Sequence, residues 1–327
     1  MEYNQLNARF LSKMGHRGAF ATAVGELAEH LPNLSVFTAD LAILSGLERF
    51  KNSHPDKFYN MGIAEQNMIG VAAGMAKEGF VVFATTYATF ITMRSYEQIR
   101  MNLGYMGFNV KIVGTGAGLA MGMSGNSHYG IEDMALMRAL PGMVVVSPCD
   151  GMEIVKAVFA AAEHKGPVYL RLTGAMNSPI VHTADYSFEL GKAERLREGR
   201  DVTIIATGTM VHEALEAAKL LEVDGIASTV VNMHTIKPLD TDAVTRACVE
   251  SALLVTAEEH SVIGGLGGAV AEFKATLKQT PPQLFVGLPD KFGKIGEYKY
   301  LLKKYGLNAN DMAAGIRAAF VSVPSHF

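Results

Sequence analysis

Short β-branched runs alternate with longer segments of helical period from one end of this chain to the other. Strands that follow one another through helices pair in parallel, because a parallel pair needs a long crossover connection. Extended pieces are predicted at Lys57 to Asn60, Leu34 to Thr38, Val81 to Ala84, Val110 to Val113, Val144 to Ser147 and Val168 to Leu172. Between them, helical period marks Gly18 to His30, Ile69 to Ala76, the stretch near Tyr96 to Leu103, and Glu153 to Glu163. Asn177 to Gly191 carries Pro179 and no clear period, so it reads as a linker. A second unit starts at Val202 to Ala206 and continues with a helix over Val211 to Leu221. Strands at Ser228 to Asn232 and Leu253 to Ala257 follow, then a helix over Ala269 to Leu277. The expected fold is therefore α/β in two domains, each a mostly parallel sheet flanked by helices. The expected boundaries are 1–180, a linker at 181–194, and 195–327; a chain of 327 residues is long enough for two cores.

Composition excludes several classes of function. A net charge of −3 gives no electrostatic case for nucleic acid or an anionic membrane. No stretch approaches the ~20 apolar residues of a membrane span, and Met1 to Leu6 has neither half of a secretory signal. Cys149 and Cys248 are far apart and outside any CxxC motif, which fits two reduced thiols and a cytoplasmic protein.

Chemistry concentrates in three places. Glu65 is the one carboxylate between Gly62 and Ala76, in the first turn of a predicted helix. An acid there complements the helix dipole and needs no further reason. Tyr87 and Phe90 follow at i and i+3 after a strand, however, and a carboxylate beside two aromatics can hold and protonate a flat, weakly basic heterocycle. His128 lies in the loop Ser124-Gly125-Asn126-Ser127-His128, where a lone histidine is usually a surface residue. Arg94 and Glu97 fit ordinary pairing on a helix face. The methionines Met101, Met106, Met121, Met123, Met134, Met137 and Met143 fit soft core packing. The groups Gly114 to Gly118 and Gly264 to Gly268 lack the lysine of a phosphate loop and read as tight turns around strands.

The run Gly62-Ile63-Ala64-Glu65-Gln66, followed by that aromatic pair, resembles the pyrimidine-binding domain of the transketolase superfamily of thiamine-diphosphate enzymes. Thr38-Ala39-Asp40-Leu41 is similar to that domain's opening motif. Val202 to Leu221, Asn232 to Asp240, Glu258-Glu259-His260 and Gly287-Leu288-Pro289-Asp290 resemble the C-terminal domain. The resemblance implies that Glu65 hydrogen-bonds the cofactor's aminopyrimidine and controls its tautomer, with Tyr87 and Phe90 packed on the ring and Asp40 and Ile63 beside it. It also implies that His128 faces the substrate. Two positions depart from the family. Ser124 stands where an aspartate usually contacts the acceptor, and Arg171 lies inside its strand rather than at the end, where a phosphate-binding arginine is usual.

The family's diphosphate-binding domain carries a Gly-Asp-Gly that, with a later asparagine, holds Mg²⁺, and no Gly-Asp-Gly occurs in this sequence. The resemblance therefore implies half an active site, with Mg²⁺ and its ligands supplied by an N-terminal transketolase subunit. A heterotetramer of two plus two subunits is expected to move a two-carbon ketol unit from a ketose to an aldehyde. The alternatives are a 2-oxoacid-decarboxylating subunit, of the deoxyxylulose-phosphate synthase or pyruvate dehydrogenase beta kind, and a non-catalytic regulatory subunit.

Overall fold

The computed structural model describes residues 2–174 and 176–323, and in it the alternating pattern becomes two sheets. The strands are β1 (Leu34–Thr38), β2 (Phe58–Asn60), β3 (Val81–Tyr87), β4 (Val110–Ala117), β5 (Val144–Val146), β6 (Val168–Thr173), β7 (Glu194–Arg197), β8 (Val202–Ala206), β9 (Ser228–Asn232), β10 (Thr235–Lys237), β11 (Leu253–Ser261) and β12 (Gln283–Leu288). The first sheet runs β10-β5-β6-β4-β3-β1-β2 and the second β12-β11-β8-β9-β7. All pairs are parallel except β10 with β5 and β7 with β9. Helices cover both faces of the inner strands, so β1, β3, β4 and β6 are buried at every position. That is why they read as unbroken β-branched runs and not as alternating ones.

The two units share one core. β10 lies in sequence after β9 of the second sheet, yet it completes the first. Met134, Val145 and Tyr169 of the first unit pack in one apolar cluster with Ile205, Ile236 and Leu266 of the second. No strand was expected at Thr235 to Lys237, because three residues carry too little period to register. Between β6 and β7 the described chain has no regular element. Asp150 ties this segment down: its carboxylate accepts from the amides of Val181 (2.9 Å) and His182 (2.7 Å) while N-capping the helix Gly151–Glu163.

Helix extents differ from expectation where local geometry intervenes. The first helix starts at Gln5, capped by Asn4, and passes a break at Gly15 with φ 70°. Tyr96 to Leu103 falls within a continuous run of turns, some of them wide π turns, from Phe90 to Tyr105. The glycine groups are not simple turns. Gly114 to Ala117 lie within β4, where a Cβ on Gly114 would strike the Tyr169 ring. At Gly265, a Cβ would strike the Glu258 carboxylate, which accepts from the amides of Leu266 (2.7 Å) and Gly267 (2.8 Å). The anion-binding helix start is thus filled by the chain's own glutamate. Of the methionines expected in the core, Met134, Met137 and Met143 are buried, whereas Met101, Met106 and Met123 are exposed.

Candidate active site

Parallel sheets bring the carboxyl ends of their strands to one edge, and loops there build the ligand sites of open α/β folds. Glu65 begins the helix Glu65–Lys77 just beyond β2, Tyr87 ends β3, and Phe90 opens the wide-turned segment that follows. His128 arrives from the loop after β4. The three rings come together, and Arg94 links Glu65 to them. The rings of Tyr87 and Phe90 meet edge to face at 5.6 Å, and the His128 ring lies 6.0 Å from Tyr87 and 5.2 Å from Phe90. Burial pushes the Tyr87 hydroxyl above the usual phenol range. Glu65 is 6% exposed.

Arg94 belongs to this cluster. Its Nη1 donates to Glu65 Oε1 at 2.8 Å, and its guanidinium carbon lies 3.7 Å from the centre of the Phe90 ring. In the sequence Arg94 read as half of a helix-face pair. The four-residue step from Phe90 was visible, but Glu65 is distant in sequence and only the tertiary fold brings it near.

Asp40 and Ile63 sit at the rim. Asp40 takes φ 58°, donates its amide to Asn60 Oδ1 (3.0 Å) and accepts from Asn60 Nδ2 (3.0 Å). The same Oδ1 accepts from the Gly62 amide at 3.1 Å, so Asn60, unremarked in the sequence, fixes both turns beside Glu65. Ile63 is 76% exposed.

The loop of His128 is braced from the second unit. Glu259 accepts from the Leu119 amide (2.7 Å), Thr209 Oγ1 (2.7 Å) and the Tyr298 hydroxyl (2.7 Å). Burial raises the Glu259 carboxyl above its ordinary range, against those hydrogen bonds. The Tyr129 hydroxyl lies 2.7 Å from the Lys294 carbonyl, to which it donates, and 3.0 Å from that of Gly122, and Asn126 Nδ2 donates to Gly293 O. Within the loop His128 Nδ1 lies 3.0 Å from Ser127 Oγ, and Ser124 is exposed.

Arg171 requires a correction. The sequence left it between a substrate contact and a structural ion pair; it is fully buried, and its hydrogen bonds lie inside the protein. They go to Asp133 Oδ2 (2.8 Å), Thr173 Oγ1 (3.1 Å) and the carbonyls of Gly130 (3.0 Å) and Glu259 (2.9 Å). Burial opposes its charge, and the Asp133 carboxylate more than offsets that, holding the guanidinium above its usual range. A strand-interior side chain in a sheet covered on both faces has no route to a ligand.

Among the described residues, the one compact group of metal-ligating side chains is Cys149, Glu153 and His182. A thiol and an imidazole do not suit Mg²⁺, which takes oxygen ligands. For thiamine diphosphate the residues fit on the pyrimidine side. Glu65 and the Phe90 face already hold a flat nitrogen cation between them, in the form of Arg94.

Comparison with known proteins identifies the family. The profile of the transketolase pyrimidine-binding domain matches residues 12–176, and that of the transketolase C-terminal domain matches 191–312. A Methanocaldococcus jannaschii protein described as a transketolase C-terminal section is 42% identical over 92% of this chain and 95% of its own length. The 6-deoxy-6-sulfo-D-fructose transketolase subunit of Clostridium sp. (strain MSTE9) is 40% identical over 93% of this chain and 92% of its own. A solved split-gene transketolase, an inactive beta4 tetramer, superposes with a TM-score of 0.86 at 43% identity, covering 95% of this chain and 99% of that one. A 1-deoxy-D-xylulose-5-phosphate synthase of Synechococcus sp. (strain JA-2-3B'a(2-13)) matches at 36%, and the chain spans 47% of its length. With both of its domain profiles matched and relatives that align end to end, the chain belongs to the transketolase family.

Proposed function

We propose that this chain is the C-terminal subunit of a split transketolase, moving a two-carbon ketol unit from a ketose donor to an aldehyde acceptor. The observation that carries this reading is the cluster of Tyr87, Phe90 and His128 at the carboxyl edge of the first sheet, with Glu65 joined to it through Arg94. Thiamine diphosphate, when bound, supplies the carbon nucleophile that transketolase chemistry requires. Glu65 shares a proton with the ring nitrogen of its pyrimidine, in surroundings dry enough to keep that proton from water. Phe90 and Tyr87 orient the ring, and Ile63 and the Asp40–Asn60 turn line its rim. His128 hydrogen-bonds the donor's oxygens and moves a proton on the substrate side. Ser124 offers a neutral hydroxyl to the acceptor.

The diphosphate and Mg²⁺ fall to a second subunit. Ile63, Met93 and Met123, close in sequence to Glu65, Arg94 and His128, are all exposed and apolar, as a surface that meets a partner would be. Two copies of each subunit form the smallest two-fold assembly that completes paired sites. A sugar derivative is the substrate class, supported by the sulfosugar named for the Clostridium relative and by the loss of Arg171 as a phosphate contact.

Glu65→Gln in the reconstituted complex tests the assignment. The amide cannot share the proton, and loss of such a group typically costs ~10²–10⁴-fold in rate. Turnover near wild type at saturating cofactor would overturn it. The same complex offered pyruvate and hydroxypyruvate separates ketol transfer from 2-oxoacid decarboxylation. Turnover with pyruvate as donor would favour the second.

A further inference from the structure

Arg94 meets two groups at once, and together they define a place. A side chain that stacks on the Phe90 ring and donates to Glu65 Oε1 lies where the aromatic face and the carboxylate are both within reach. Guanidinium and aminopyrimidine are alike in what this place selects: both are flat, both carry nitrogen donors in the plane, and both stack on an aromatic face. We infer that Arg94 is an internal stand-in for the cofactor's aminopyrimidine, filling its seat in this conformation, and that the ring displaces it on entry.

The geometry permits that displacement. Among the described residues the guanidinium engages Glu65 and the Phe90 ring, and its side chain is half exposed, so it can turn into solvent. The main chain beneath it stays fixed, because Gln66 Nε2 donates to the Arg94 carbonyl at 3.0 Å. Glu65, by contrast, is almost fully covered, and without a donor its carboxylate would be a poorly solvated charge. Arg94 therefore keeps the seat formed and its carboxylate satisfied, at the expense of cofactor affinity. A fixed structural pair is the competing reading. There the ring would use another face of Phe90, and removing Arg94 would weaken its binding or leave it unchanged.

The inference rests on the proposed pyrimidine seat but is tested without turnover and without the second subunit. The probe is the free aminopyrimidine half of thiamine, titrated into the full chain and followed by ligand-observed NMR. Arg94→Met removes both the ion pair and the stacked cation, so it should bind the probe about three- to thirty-fold more tightly than wild type. Arg94→Lys keeps a cation beside Glu65 but loses the flat fork, and should show a smaller gain while preserving the fold. Adding Glu65→Gln to Arg94→Met should abolish the gain, since the ring then loses its carboxylate partner. Equal or weaker binding by both folded Arg94 variants would overturn the inference, as would a gain that survives Glu65→Gln. Turnover of the Glu65→Gln complex judges the seat itself, so the two ideas fail separately.

Discussion

At the scale of single residues, the buried pair Arg171–Asp133 and the surface loop Ser124–His128 answer substitution in opposite ways, one in stability and the other in activity. Arg171→Met leaves the Asp133 carboxylate buried with its ion-pair partner gone, keeping only the Tyr169 hydroxyl at 2.5 Å and a distant His260. Breaking one side of such a pair costs about 3–5 kcal/mol, and chemical denaturation should show a loss of that size. A stable variant with impaired substrate affinity would instead restore Arg171 to the substrate side. His128→Ala carries little structural cost, because the ring's polar contact is the neighbouring Ser127. It should lower turnover while leaving cofactor affinity nearly unchanged, as calorimetry on the complex would report. Ser124→Asp restores a charged acceptor in the same loop. Hydrogen bonds to charged groups contribute about 1.5–3 kcal/mol, so the ranking of aldehyde acceptors should move toward hydroxylated ones. An unmoved ranking would remove Ser124 from the acceptor's path.

At the scale of elements, the inner strands were legible because burial on both faces forces a continuous apolar run, which a sequence displays directly. β7, β10 and β12 were not: Thr235 to Lys237 owes its strand to β5 and to nothing in its own three residues. The site divides along the same line. Glu65, Tyr87, Phe90 and His128 lie in local motifs, whereas Arg94 and Asn60 take part through contacts 29 and 20 residues away in sequence. Arg171 could be misplaced because position along a strand does not reveal that its carboxyl end is roofed by a second domain. Gly118 shows how that roof holds the His128 loop. It takes φ 66°, bridges to Gly130, and leaves room for the Glu259 carboxylate where a Cβ would stand. Gly118→Ala combines left-handed strain with a clash against a buried, fully bonded glutamate, and strain of this kind costs on the order of 1–3 kcal/mol. The melting temperature should fall, and hydrogen exchange should rise in residues 119–130 before it rises in β4. Uniform exchange across both would mean that the loop is not held through Glu259.

At the scale of the whole molecule, two buried histidines set opposite limits on stability. His182 lies in the segment between the two domain profiles, with Nδ1 3.2 Å from Asp150, Nε2 2.8 Å from Glu194, and its ring stacked on Tyr186 at 4.0 Å. Burial works against its charge, but the bonds to Asp150 and Glu194 prevail and raise the imidazole to about 10. A group raised in the folded state stabilises fully below its unfolded value, near 6.5, and that stability is lost as pH rises through about 10. The full shift corresponds to at most about 5 kcal/mol. His16 behaves conversely. It is fully buried, neither ring nitrogen has a hydrogen-bond partner, and burial lowers it to about 4 against the pull of Asp150. It folds neutral, so acidification from about 6.5 toward 4 favours the unfolded chain, which takes up the proton more readily. Of these two groups, His16 contributes an acid limb and His182 an alkaline limb, the latter opposed over much of the same range by Lys111, whose ammonium is lowered to about 7 by burial. Denaturation midpoints measured from pH 4 to 11 should isolate the His182 limb as a difference: the stability gap between wild type and His182→Gln should close as pH rises through about 10, while the acid limb stays. Because Asp150 caps a helix of the first domain and Glu194 opens β7 of the second sheet, loss of the His182 proton should loosen the segment between them. Protease cleavage between residues 176 and 193 should therefore accelerate along the alkaline limb in the wild type. Cleavage that stays constant up to pH 10 would show that the His182 clasp does not hold that segment in place.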